Sequence, residues 1–231
     1  MAIAYLLGKG ASKPLRLKPN IPVLLVLSIL PDIDIVFDFL TGSEMHRGPT
    51  HSIVVAILAF IPFFIVYRKK VIPYFLALIS HSLIGDITGQ VQLLWPFSTT
   101  QYGFDALSIF SPINVLTELS LFAVATLVLY KTSDWKVFFT DNKTNLVLIL
   151  PVATVLLPTT IGYPFTQSLL LSDQYIVRVL GIAHLFYLVL FSIAILKVIA
   201  SLSRNVKRKI NHSSAVSAPA SIRYMGSVLI E

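Results

Sequence analysis

YIVRVLGIAHLFYLVLFSIAILKVIA, residues 175–200, decides the fold class. Across these 26 positions the only Asp, Glu, Lys or Arg residues are Arg178 and Lys197. A helix of about 20 predominantly apolar residues crosses the hydrocarbon core of a bilayer, so this stretch reads as a membrane span. Five further apolar stretches are expected to do the same: Ile21–Phe39, Ser52–Tyr67, Val71–Ile87, Pro112–Tyr130 and Leu146–Tyr163. The first three are short or interrupted. Composition agrees, because 55% hydrophobic residues, 13% charged residues and a mean hydropathy of +0.80 exceed what a soluble domain shows. The expectation is an all-α polytopic transmembrane bundle of about six segments in one domain over residues 1–205. Residues 206–231 form a basic, then Ser- and Ala-rich, cytoplasmic tail that is expected to be flexible.

The net charge of +7 sorts by loop, which argues for topology as its meaning, and no nucleic-acid partner is expected. With a cytoplasmic N-terminus, six crossings place Lys9 to Lys18, Arg68 to Lys70, Lys131 to Lys143 and the basic residues from Lys197 onward on the inner side. Only Arg47 and Arg178 fall outside. That asymmetry follows the positive-inside rule and predicts both termini in the cytoplasm of an inner-membrane protein. The run SRNVKRK at 203–209 is expected to meet anionic lipid headgroups. MAIAYLLGKG lacks the order of a signal peptide and is expected to remain in the mature chain. With no cysteine, any metal must rest on nitrogen and oxygen ligands.

Three polar motifs interrupt the apolar chain: LPDIDIVFD at 30–38, HRGPTHS at 46–52 and SHSLIGDITGQVQLLWPFS at 80–98. Under the six-span topology all three meet at the outer leaflet. Each has a plain reading alone: Asp32 and Asp34 follow Pro31 and suit a helix-end turn, and a single interfacial histidine needs no function. His81 differs, because an ionisable residue inside an apolar segment points to function. Asp86 lies about 140° around a regular helix from His81, so the two converge only if the helix loosens near Gly85. Together Asp32, Asp34, His46, His51, His81 and Asp86 form a ligand set for Zn²⁺, Mn²⁺ or Fe²⁺, enough for one or two ions. Zinc is the first expectation. Arg47 suits a phosphoryl or carboxylate oxygen, and Asp34 or Asp86 can accept a proton from water.

These motifs resemble the YdjM-like family of inner-membrane proteins, described as membrane-bound metal-dependent hydrolases. The resemblance covers roughly the first hundred residues and carries over to Asp32, Asp34, His46, Arg47, His51, His81 and Asp86. It implies hydrolysis of a phosphodiester or ester, with a lipid or lipid-linked substrate favoured by a site at the membrane surface. It also implies a histidine in the first short helix, where this chain has none, and a His-to-Asp spacing of four in the third motif, where this chain has five.

Beyond residue 100, Glu118 stands about 9 Å below the outer start of its segment and shares a helical face with Asn114, which marks the pair as a supporting shell for the site. His184 reads as a hydrogen-bonded core residue. Trp95 and Tyr102 read as interfacial anchors, with LLWPFS a lip over the site. The rival readings are a small transporter and a noncatalytic metal-binding scaffold. A transporter places ionisable residues at the midplane of repeated, broken helices, and this chain shows no internal repeat.

Overall fold

The computed structural model describes residues 1–43, 45–85, 89–103, 110–162 and 167–217. The described chain is helical: α1 (Ala2–Ser12), α2 (Ile21–Leu27), α3 (Ile33–Thr41), α4 (Ile53–Tyr67), α5 (Ile72–Ser80), α6 (Pro112–Lys131), α7 (Lys143–Ile161) and α8 (Tyr175–Ser217). Its only extended pairing among the described residues is an isolated bridge between Val91 and Tyr102. Among the described residues, three helices are long and apolar enough to cross a membrane: α6, α7 and the part of α8 from Tyr175 to Ile210. An all-α membrane bundle is therefore what the chain forms.

Of the first three expected segments, the first and third are interrupted at the polar motifs and the second is short. Residues 21–39 break into α2 and α3 around Pro31. There Ile29, Asp32, Ile33 and Ile35 donate to carbonyls three residues back, at 3.0–3.2 Å, in place of regular α-helical bonds. Residues 52–67 make the 15-residue α4, which carries Pro62. Residues 71–85 make α5 followed by a π-helical turn, His81–Gly85. Ile87 and Tyr163, the ends of two expected segments, lie outside the described residues. Along α7, a π turn at Val152–Leu156 follows Pro151, a residue that cannot donate the regular backbone bond.

Helix α1 is a core element. Ala4, Gly8 and Ser12 recur at four-residue spacing on its buried face, and small residues at that spacing let helix backbones approach closely in a bundle. A Cβ at Gly8 would come within 2.7 Å of Leu24 and 3.1 Å of the Pro73 carbonyl oxygen. Ala4 and Tyr5 pack with Leu24 and Leu25 of α2, Ala77 of α5, Ala125 and Leu129 of α6, and Phe191 and Ala194 of α8.

The basic loops gather at one end of this core. Lys9 pairs with Asp134 at 2.6 Å, and the Tyr5 hydroxyl donates to the same carboxylate at 2.9 Å. Burial, reinforced by that carboxylate, pushes the Tyr5 phenol up, so it stays protonated as a donor. Asn20 N donates to the Tyr74 hydroxyl, Lys197 Nζ to the Phe139 carbonyl and Ser201 Oγ to Asp141. The buried Asn145 amide ties the intervening loop by donating to Val137 and Thr140. Beyond Ser201, α8 runs on as a helix to Ser217, with the basic run at 204–209 exposed.

Two glycines of α1 are expected to respond oppositely. Gly8→Val puts a branched side chain into α2 and should cost about 1–3 kcal/mol, as overpacking does. Gly10→Ala meets nothing within 4 Å and should stabilise by up to about 1 kcal/mol through helix propensity. Thermal unfolding of the detergent-solubilised variants measures both, and equal melting temperatures for wild type and Gly8→Val would show that α1 is not packed against α2.

Candidate metal centre

The polar motifs meet at the end of the core opposite the basic loops. Asp32 is the N-cap of α3, yet its side chain makes no capping bond. Asp32 Oδ1 instead lies 3.0 Å from His81 Nε2 and 3.4 Å from His51 Nε2. A carboxylate normally spent on a helix end is thus aimed at two imidazoles from other motifs. His81 reaches it from the π turn that loosens the end of α5. The local unwinding required near Gly85 is present, while Asp86 lies outside the described residues.

In the second motif, Gly48 and Pro49 reverse the chain so that two histidines converge. Gly48 N donates to Met45 O, the short 3-10 turn Pro49–His51 follows, and Ser52 caps α4 by accepting from Val55 N. The His46 and His51 rings lie 5.3 Å apart, and His51 and His81 lie 5.1 Å apart. Ser52 Oγ also donates to the Trp95 carbonyl at 2.6 Å, which fastens the 93–95 loop beside His51. Phe97 of that loop is 84% exposed and Tyr102 is half-exposed, as an interfacial lip would be.

Asp34 braces the centre from behind. It is buried, and its Oδ1 lies 2.9 Å from His46 Nδ1 while Oδ2 accepts from the Thr50 hydroxyl. The Thr50 oxygen is 3.1 Å from His51 Nδ1, which also lies 3.4 Å from Asp34 Oδ2. An ionised carboxylate can only accept, and the Thr50 proton is committed to Asp34, so both histidines place their proton on Nδ1. That tautomer puts the lone pair of each ring on Nε2, and a hydrogen-bonded Nδ1 behind a prospective ligand is the arrangement that orients metal-binding imidazoles. Asp38, at the end of segment one in the sequence, secures the loop before His46. It accepts from Ser43 Oγ at 2.5 Å, Met45 N at 3.0 Å and His46 N at 2.8 Å.

Asp32, His46 and His51 each offer a ligand atom, and these atoms all lie within 4.8 Å of one another. The mixed carboxylate and imidazole donors fit a divalent first-row ion. His81 joins the cluster through Asp32, and Asp34 holds two of its imidazoles from the far side. Arg47 occupies a left-handed backbone conformation, φ +65°, between His46 and Gly48. Glu118, hydrogen-bonded to Asn114 at 3.5 Å, lines a cavity of about 370 Å³ that it shares with Asp32 and His81. His184 opens onto the same cavity and contacts the Thr159 hydroxyl at 2.9 Å.

Over residues 1–203 the sequence matches the family described as YdjM inner membrane protein. The chain belongs to that family. No curated protein and no solved structure matches it. The match to the YdjM family takes in α1 to α7 and most of α8, so it covers the scaffold as well as the three polar motifs.

Two supporting residues escaped the reading of the YdjM motifs. Thr50 lies within HRGPTHS between more conspicuous residues, and only the fold shows its hydroxyl joining Asp34 to His51. Asp38 is three hydrogen bonds away from anonymity as a helix-end acid. Thr50→Val is expected to keep the fold and weaken metal binding by about 10–100-fold, the usual penalty for losing an orienting group behind a ligand. Competition with a chromogenic chelator measures this, and an unchanged affinity would show that Thr50 does not orient His51.

Proposed function

We propose that this protein is a membrane-bound metal-dependent hydrolase acting on a phosphodiester or ester of a lipid or lipid-linked molecule. The observation that carries the reading is the shared brace: one buried carboxylate and one hydroxyl set the tautomer of two histidines that gather with Asp32, with a ligand atom of each residue within 4.8 Å of the others. Purely structural histidines do not need a common tautomer and a common focus. Asp32, His46, His51 and His81 are assigned as the residues that would hold the ion, zinc first and manganese or iron(II) as alternatives. A bound divalent ion supplies Lewis acidity and brings a water towards ionisation near neutral pH.

The chain's own groups supply the rest. Arg47 receives an anionic oxygen of the substrate through its planar, permanently charged fork. Asp34 keeps His46 and His51 in their ligating orientation. The water's proton passes to a carboxylate, for which the sequence offers Asp86, because both oxygens of Asp34 are engaged behind the imidazoles. Glu118 and Asn114 bound the cavity beneath Asp32 and His81. The site faces the extracytoplasmic leaflet in this proposal, because the basic loops lie at the other end of the core.

Two variants separate ligand from substrate-binding group in detergent-purified protein. His51→Ala is expected to lose bound metal and turnover together. Arg47→Lys is expected to retain metal and fold but lose at least about tenfold in turnover, since Lys cannot reproduce a bidentate fork. Metal analysis and hydrolysis of a panel of phosphodiesters and esters decide the matter. Metal-free wild-type protein with no hydrolysis would sink the enzyme reading, whereas stoichiometric metal without turnover would favour the scaffold.

Orientation is tested separately. The chain contains no cysteine, so single cysteines at positions 69 and 102 are the only thiols in their variants. In intact cells, an impermeant maleimide is expected to label position 102 and spare position 69. The reverse pattern would turn the protein over in the membrane.

A further inference from the structure

The Arg47 guanidinium is seated on a glycine. An ideal Cβ at Gly89 would fall 2.1 Å from Nη1, 2.4 Å from Cζ and 2.7 Å from Nη2 of Arg47. All three distances are below any contact a real Cβ makes, so the charged head occupies the space that a side chain at position 89 would take. Gly89 is buried. Beneath it lies a second glycine: a Cβ at Gly103 would fall 1.9 Å from the Gly89 carbonyl oxygen, and Gly103 has φ +144°. The stack therefore runs guanidinium, Gly89 backbone, Gly103 backbone, with no room for a side chain at either level.

The loop that carries this stack is anchored, so it cannot retreat. Val91 and Tyr102 exchange backbone hydrogen bonds at 3.0 and 2.9 Å, and Gln92 N donates to the Arg47 carbonyl at 3.0 Å. Arg47 is thus gripped at its backbone and at its head by one segment. Its left-handed φ is uncommon for a residue with a Cβ and persists where surrounding contacts dictate it. Arg47 Nε is buried and has no hydrogen-bond partner among the described residues. A buried guanidinium nitrogen without an acceptor is costly unless an acceptor arrives.

We propose that Gly89 and Gly103 are positioning residues whose stacked backbones fix the Arg47 guanidinium, on the residue that follows His46, as the seat for a tetrahedral oxyanion, phosphate or phosphodiester. The proposal rests on the substrate-binding role given to Arg47 above. It adds that the third motif contributes a backbone platform to the site as well as a histidine. Position 89 has no left-handed φ, so Ala fits its backbone and disturbs only the guanidinium. Gly103→Ala would meet fixed backbone and is the less informative change.

The test uses zinc-loaded, detergent-purified full chain and inorganic phosphate as the probe, titrated calorimetrically. Wild type is expected to bind phosphate, and Gly89→Ala and Arg47→Ala each to bind it about 10–100-fold more weakly, the range for losing a charge-assisted hydrogen bond. Zinc content should be equal in all variants. The double variant should bind no more weakly than Arg47→Ala alone, because Gly89 acts only through the arginine. Undiminished binding by Gly89→Ala, or losses that add in full, overturns the platform while leaving the role of Arg47 standing. Phosphate binding that is absent from wild type, or unaffected by Arg47→Ala, overturns that role and the platform with it. Melting temperatures read the same contact without a ligand. Gly89→Ala should lower the midpoint in the native background and spare it where Arg47→Ala has vacated the space, and equal losses in both backgrounds overturn the contact.

Discussion

The buried carboxylate of Asp34 is the interaction on which the centre depends. It receives His46 on one oxygen and the Thr50 hydroxyl on the other, and through Thr50 it sets His51. A buried carboxylate is costly unless its lone pairs are taken up, so folding and the orientation of two histidines are the same event. Asp38, one turn further along α3, adds a second tie to the HRGPTHS turn by accepting from His46 N. Asp32, two residues before Asp34, then joins that unit to His81 at the end of α5.

Such an arrangement explains why the first half of the chain is built from short helices. A continuous span over residues 21–39 would carry Asp32 and Asp34 past the site on opposite faces, about 200° apart. The Pro31 turn lets both carboxylates address the same cluster. The π turn at His81–Gly85 makes the corresponding adjustment on α5, and π turns of this kind recur at functional sites. The long helices α6 and α8, together with α7, form the wall against which α1 and α2 pack, and α5 packs on α1 and α2. Stability and chemistry are therefore divided along the chain.

The two ends of the molecule differ in kind. At one end, lysines and arginines sit in loops tied by Asp134, Asp141 and Asn145. At the other, histidines and aspartates satisfy one another at the rim of the apolar core. The cavity under Asp32 and His81 continues along α6 and α8 past Glu118 to His184. An apolar bundle tolerates these groups because each faces the cavity or a hydrogen-bonding partner within the protein.

Much of this was legible beforehand. Apolar length alone identified the last three spans, because a helix in lipid needs a fixed number of apolar residues and little else. The clustering of His46, His51, His81, Asp32 and Asp34 was legible too, since polar residues in an apolar chain are placed at a cost that only shared chemistry or pairing offsets. Three things were not. The burial of α1 depends on the fit of Ala4, Gly8 and Ser12 to α2 and α5, which no single-segment hydropathy expresses. The division between Asp32, facing the imidazole Nε2 atoms, and Asp34, behind the Nδ1 atoms, depends on which way two carboxylates of identical chemistry point. The seating of Arg47 on Gly89, 42 positions away, depends on a loop returning to contact it. Sequence determined which groups would share the site, because residue type sets burial cost and ligand chemistry. Tertiary structure decided their roles, because direction and contact exist only once the helices have packed.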